Sequence, residues 1–229
     1  MIGAGLWALF AASSLLLGAL VAVRWAVPPR TVGQAMGFGA GALLAALAYD
    51  LIPDKNLSDL LVWVCFGAGA LLFYGLDGIV ERRTGGAGVG TAIALGALLD
   101  GIPESLVLGI GIAVGGSVSI GFLAAVFVSN IPESLSSTVQ LRASHSTAWV
   151  FRLWAAIAGA SAVAAAAGYA AASQLSTIDG RYAQALAAGA VLTMLADSMM
   201  PEAFREGGKP IALLTALGFA VAAILTTLE

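Results

Sequence analysis

Long apolar runs broken by short polar stretches divide the chain into segments near 2–27, 32–53, 59–77, 91–114, 117–140, 149–174, 183–204 and 211–228. A helix rises about 1.5 Å per residue, so each run is long enough to cross roughly 30 Å of hydrocarbon. The pattern predicts an all-α integral membrane protein, with eight transmembrane helices forming a single domain over 1–229. The residue-by-residue alternation of an outer-membrane barrel is missing, and the abundance of Ala and Leu suits helices. The first run has no basic residue before it and exceeds the length of a signal-peptide core, so it reads as the first helix. The one extended break, Gly78 to Gly90, carries Glu81-Arg82-Arg83 and then a glycine-rich stretch. It predicts a flexible cytoplasmic loop between two groups of helices.

Composition agrees with a bilayer as the solvent: 60% of residues are hydrophobic and 10% charged, with a mean hydropathy of +0.97. Charge then orients the spans. Arg24, Arg30, Arg82, Arg83, Arg142, Arg152, Arg205 and Lys209 fall on one side of an eight-span arrangement, and only Lys55 and Arg181 on the other. The positive-inside rule therefore predicts that both termini are extracytoplasmic. The net charge of -3 arises from acids lying largely within the spans. It offers no basic face for nucleic acid. The short loops point to a multi-pass protein of a cell membrane, of the bacterial inner-membrane kind. The single cysteine, Cys65, lies in the third span and reads as an apolar filler.

Polar residues inside the spans carry the candidate chemistry. Four segments align on a proline: Asp50-Leu51-Ile52-Pro53-Asp54, Asp100-Gly101-Ile102-Pro103-Glu104, Ser129-Asn130-Ile131-Pro132-Glu133, and Ser198-Met199-Met200-Pro201-Glu202, with Asp197 just before the last. An oxygen-bearing side chain precedes each proline by three residues, and a carboxylate follows it by one. Positions four apart share one helical face. Proline also lacks the N–H that would bond the carbonyl four residues back, which leaves Leu99 and Val128 with spare carbonyl oxygens. Three carboxylates near mid-bilayer, Asp100, Glu104 and Glu133, cost about 2.5 to 3.5 kcal/mol each on insertion scales, roughly 8 to 10 kcal/mol together. A bundle retains such groups where something cationic is held or passed.

Depth along the spans orders the motifs. Pro103 and Pro132 fall near the middle of the fourth and fifth spans, Pro53 at the outer end of the second, and Pro201 toward the cytoplasmic end of the seventh. The arrangement predicts a central site with Asp50 and Asp54 at an outer mouth and Asp197 and Glu202 at an inner one. The opposite directions of spans two and seven, and of four and five, predict an inverted repeat. Asp77 reads as capping the cytoplasmic end of span three or pairing with Arg82 or Arg83. Met199 and Met200 read as core, and His145 as a cytoplasmic surface residue. Gly33, Gly37 and Gly41 predict a close helix contact, within one protomer or between two.

The paired Pro-Glu motifs on the fourth and fifth of eight spans resemble the ZIP (Zrt/Irt-like) divalent metal transporters. The topological resemblance covers essentially the whole chain, and the motif resemblance spans two, four, five and seven. It implies metal transport toward the cytoplasm, a homodimer in membrane lipid, and no enzymatic activity. It also implies that Asp100 takes the family's histidine position, Gly101 its asparagine and Glu104 its glutamate, with Ser129, Asn130 and Glu133 on span five. The metal set is thus Asp100, Glu104, Ser129, Asn130 and Glu133. The chain departs from the family in having no histidine in any span and no acid in span six. An all-oxygen set is harder and shifts preference toward Mn²⁺, Fe²⁺ or Mg²⁺, while Zn²⁺ and Cd²⁺ stay within reach. One ion rather than two is expected, with no organic cofactor. The missing histidines also fit a metal-binding membrane protein that does not transport, acting as sensor or assembly partner. An intramembrane hydrolase is disfavoured because a zinc hydrolase needs histidine ligands.

Overall fold

The computed structural model describes residues 1–51, 58–84, 89–175 and 177–227, which are helical with short connections and contain no strand. Helix α1 covers Ile2–Arg24. Helix α2, Pro29–Ala46, opens with proline in its first turn, where no N–H is needed, and runs into a π-helical turn, Leu47–Leu51. There follow α3 (Leu60–Thr84), α4 (Val89–Gly115), α5 (Ile120–Leu141) and α6 (Thr147–Ala172). Helix α7, Thr177–Met194, continues through a second π-helical turn, Leu195–Met199, into α8, Met200–Gly207. Gly208, at φ 71°, supplies the left-handed residue that ends α8 before α9 (Ile211–Thr227) begins. Seven segments are long and apolar enough to cross a membrane, and α9 adds a shorter apolar helix. The chain is a multi-pass helical membrane protein.

The stretch expected as a loop over Gly78 to Gly90 is shorter than its composition implied. Helix α3 continues through Thr84 and α4 starts at Val89, with residues 85–88 outside the described ones. One glycine costs a helix about 1 kcal/mol, and Gly78 is followed at once by Ile79-Val80-Glu81-Arg82-Arg83. The two arginines lie in the last turn, where they complement the helix dipole. Asp77 is therefore nearly two turns inside α3 and cannot cap its end.

Glycines set how closely the helices approach. Helices α1 and α5, α2 and α9, α3 and α7, and α4 and α6 are the most extensively packed pairs. Each pair runs parallel: Phe10 stacks on Phe127 while Gly18 meets Ile131 and Ser134, and Gly90 meets Trp149 while Gly109 meets Ala165 and Tyr169. Gly33, Gly37 and Gly41 face Gly207, Ile211 and Thr215 in turn. Their expected close contact is thus made within the chain. Small residues permit such backbone contact, where dispersion and not the hydrophobic effect holds helices together in lipid. Between α5 and α6, fully buried Trp154 donates its indole N–H to Thr138 Oγ1 at 2.8 Å.

Two glycines on α4 give this packing a matched test. A Cβ on Gly109 would collide with the carbonyl oxygen of Ala165, whereas one on Gly111 meets nothing within 4 Å. Gly109→Ala should lower the thermal unfolding midpoint in detergent, by the equivalent of about 1–3 kcal/mol for overpacking. Gly111→Ala should leave the midpoint unchanged or slightly raised, since alanine is favoured in a helix by up to about 1 kcal/mol.

Candidate cation site

Pro103 and Pro132 lie within helices that carry straight on through them. Before Pro201 the backbone instead widens into the Leu195–Met199 π-turn, a feature frequent where a helix bears functional groups. The first π-turn, Leu47–Leu51, likewise stands just before Pro53 in the sequence, and Pro53 and Asp54 lie outside the described residues. These local choices bring four elements around one cavity of about 30 Å³, lined by Asp100 and Glu104 from α4, Glu133 from α5, Ser198 and Met199 from the π-turn, and Glu202 from α8, with Met36 and Met194 closing it. That is space for one or two water-sized bodies, and so for a largely dehydrated ion. Glu104 and Glu133 also line a smaller cavity of about 10 Å³ on their other side, together with Ser105, Asn130 and Ser161.

The carboxylates differ in how they are held. Ser198 donates to Met194 carbonyl at 2.9 Å and makes a long contact of 3.5 Å to Asp100 Oδ1. Glu202 Oε1 accepts from Ser136 Oγ at 2.9 Å and lies 3.6 Å from Arg205 Nη2. Glu104 is 5% exposed, and neither it nor Glu133 takes a hydrogen bond or ion pair among the described residues. Among the described residues, no lysine, arginine or histidine lines the cavity. Burying charge is tolerated only with compensation, and the side chains that line this cavity supply none.

The residues expected to act together are partly gathered here. Asp100, Glu104 and Glu133 converge, and Asn130 opens on the smaller cavity. Ser129 turns away: it packs against Gly39 of α2 and donates to Val126 carbonyl at 3.0 Å. Glu202, expected at an inner mouth, belongs to the central cavity. Asp197, one residue before Ser198, is exposed and comes within hydrogen-bonding reach of Asp77, the two lining an open cavity of about 520 Å³ with Tyr74, Glu81 and Arg82. Asp50 accepts from Ser119 Oγ at 2.8 Å in a separate cavity of about 360 Å³ that includes Tyr49 and buried Gln184. His145 stacks on Trp149 at a centroid distance of 3.9 Å. Met36, Met194 and Gln184 carry no motif and were not expected. Ser198 occupies the oxygen position of the aligned segment, which is the signal that could have found it.

Among the described residues no three or more His, Cys, Asp or Glu side chains are drawn together closely enough to hold a metal ion by themselves. A cation here would complete its shell with serine hydroxyl, thioether or water. Because Glu104 is buried without a partner, Glu104→Gln should raise the unfolding midpoint of the chelator-treated protein, by the equivalent of about 1–3 kcal/mol. Glu202→Gln, which gives up the Ser136 and Arg205 contacts, should lower or leave it; differential scanning fluorimetry in EDTA distinguishes the two. Against protein-family models and curated proteins, this chain finds no match.

Proposed function

We propose that the protein transports divalent metal cations across the membrane toward the cytoplasm, as a divergent relative of the ZIP transporters. The observation that supports this reading is Glu104, a buried carboxyl without a partner among the described residues, which shares with Glu133 and Asp100 a cavity the size of an unhydrated ion. Asp100, Glu104 and Glu133 hold the ion and Ser198 supplies a neutral oxygen, while Asn130 lines the adjoining smaller cavity.

Three thioethers, Met36, Met194 and Met199, border the same cavity. Soft donors beside carboxylates favour transition metals over Mg²⁺. The cargo is therefore Mn²⁺, Fe²⁺, Zn²⁺ or Cd²⁺, with no organic cofactor. Exchanging α1 with α6, α2 with α7, α3 with α9 and α4 with α5 leaves the main packing pairs unchanged, since α1–α5 becomes α6–α4 and α2–α9 becomes α7–α3. That invariance supports an inverted repeat of eight spans, with the site where the halves meet. The basic residues support both termini lying outside the cytoplasm, so that the Asp50 cavity is the outer mouth and Glu202 and Arg205 face inward. Apolar Val107, Leu108, Phe122 and Leu123 stand between the outer cavity and the central carboxylates.

That apolar barrier and the lack of a three-acid cluster among the described residues also favour a second reading, a metal-binding membrane protein that senses or assembles rather than transports. Uptake into proteoliposomes separates the two. Mn²⁺, Zn²⁺ and Cd²⁺ should enter with the wild type and Mg²⁺ should not, and Glu104→Ala with Glu133→Ala should abolish flux. Binding that the mutations remove, without flux for any ion, would establish the second reading. Replacing Met36 and Met199 by leucine should lower Cd²⁺ uptake several-fold more than Mn²⁺ uptake, because only the softer ion gains from sulfur.

A further inference from the structure

A larger cavity, of about 220 Å³, lies on a different face of α4 from Asp100 and Glu104, between α3, α4 and α7. Among the described residues, every side chain lining it is hydrocarbon. Helices α3 and α4 each pack on α7 more extensively than on one another, which leaves a groove between them. Small Ala187 and Ala190 of α7 form its floor, with Leu72 and Leu76 of α3 on one wall and Ile102 and Pro103 of α4 on the other. Leu72, Leu76 and Ile102 are 54%, 44% and 39% exposed, so the groove opens sideways, where a membrane helix meets lipid. Its α4 wall runs from Leu99 to Ile110, about 16 Å along the axis. Half of a hydrocarbon core of about 30 Å, the depth one acyl chain fills, is about 15 Å.

The end of α3 adds a charge above this groove. Seven and eleven residues come within about 20° of two and three whole helical turns. Arg83 therefore shares a helical face with Leu76 and Leu72, about 10 and 16 Å further along the axis. Its neighbour Arg82 stands on the other side of α3, where it lines the cavity of Asp77 and Asp197. Arg83 is exposed and takes no hydrogen bond or ion pair among the described residues. A guanidinium fork matches the oxygens of a phosphate, and a free phosphate would gain nothing from the hydrocarbon walls below it. A zwitterionic headgroup brings its own cation to compete with the arginine. We infer that the groove between α3, α4 and α7 seats one acyl chain of an anionic phospholipid whose phosphate is held by Arg83. The chain would rest on Pro103, while Glu104, the next residue, lines the central cavity. The lipid thus leans on the helix that carries the candidate cation site, and its binding does not depend on the divalent-ion reading.

The experiment is native mass spectrometry of the whole protein released from detergent micelles, titrated with palmitoyl-oleoyl phosphatidylglycerol or with phosphatidylcholine of the same chains. The first phosphatidylglycerol should bind at one per chain and about fivefold more tightly than phosphatidylcholine, the factor that one arginine near anionic lipid supplies. Arg83→Ala should remove that preference, whereas Arg82→Ala, which deletes the same charge from the other side of α3, should keep it. Ile102→Trp and, separately, Leu72→Trp narrow the groove from its exposed rims and should weaken both lipids several-fold, with the unfolding midpoint in detergent at the wild-type value. The inference is overturned if the wild type binds the two lipids equally or retains neither, or if Arg82→Ala and Arg83→Ala act alike. Two further results would also overturn it: lipid binding that neither tryptophan disturbs, and a lipid-free dimer in which a second copy covers the groove.

Discussion

Carboxyl groups held inside a helix bundle, with no positive side chain among the described residues lining their cavity, are the constraint around which the rest is arranged. An apolar bundle in lipid gains little from burying one more leucine in place of Glu104, but it loses much by burying an unanswered carboxylate. The surrounding elements show what accompanies such a group: two helices that run on through an internal proline, a third widened by a π-turn, and side chains that contribute oxygen or sulfur without charge. At the edge of the cavity Glu202 has partners, accepting from Ser136 at 2.9 Å and lying 3.6 Å from Arg205, which pairs more closely with Glu206 at 3.0 Å.

Close packing is what keeps the space small. Backbone contacts at Gly18, Gly41, Gly109 and Gly189 draw parallel helices together along their length, so that α1, α4, α5 and α6 enclose the smaller cavity while α2, α7 and α8 close the other side of the same two glutamates. Cavities of about 30 and 10 Å³ admit ions only after most of their hydration shell is gone. Selectivity then depends on which ions regain from a few protein donors what they gave up in water.

Much of this is legible in the sequence, because its main signals are local. Apolar length marks the helices, and the spacing of oxygen residue, proline and acid places Asp100 and Glu104 on one face. Rotation about each helix axis and the pairing between helices are not local properties, and no spacing encodes them. Ser129 fits the motif yet faces Gly39, since α5 turns that position toward α2. Met36 and Met194 have no local signature and reach the cavity only through tertiary packing. Asp77 lies deeper in its helix than expected because the glycine-rich stretch after Arg83 suggests an earlier helix end. The π-turns have no expected counterpart, although both precede prolines of the aligned motifs.

The second π-turn has a consequence for adjacent residues. Asp197 lines the large cavity beside Asp77, and Ser198, the next residue, lines the small one beside Asp100. The helix at that level separates the two cavities. Relaxing the wide turn to an ordinary α-turn would shift the register by one residue and rotate the downstream helix by about 100° about its axis. A change in a single hydrogen-bond ring of the backbone is thus enough, in geometric terms, to change which side chain of the turn looks into the central cavity.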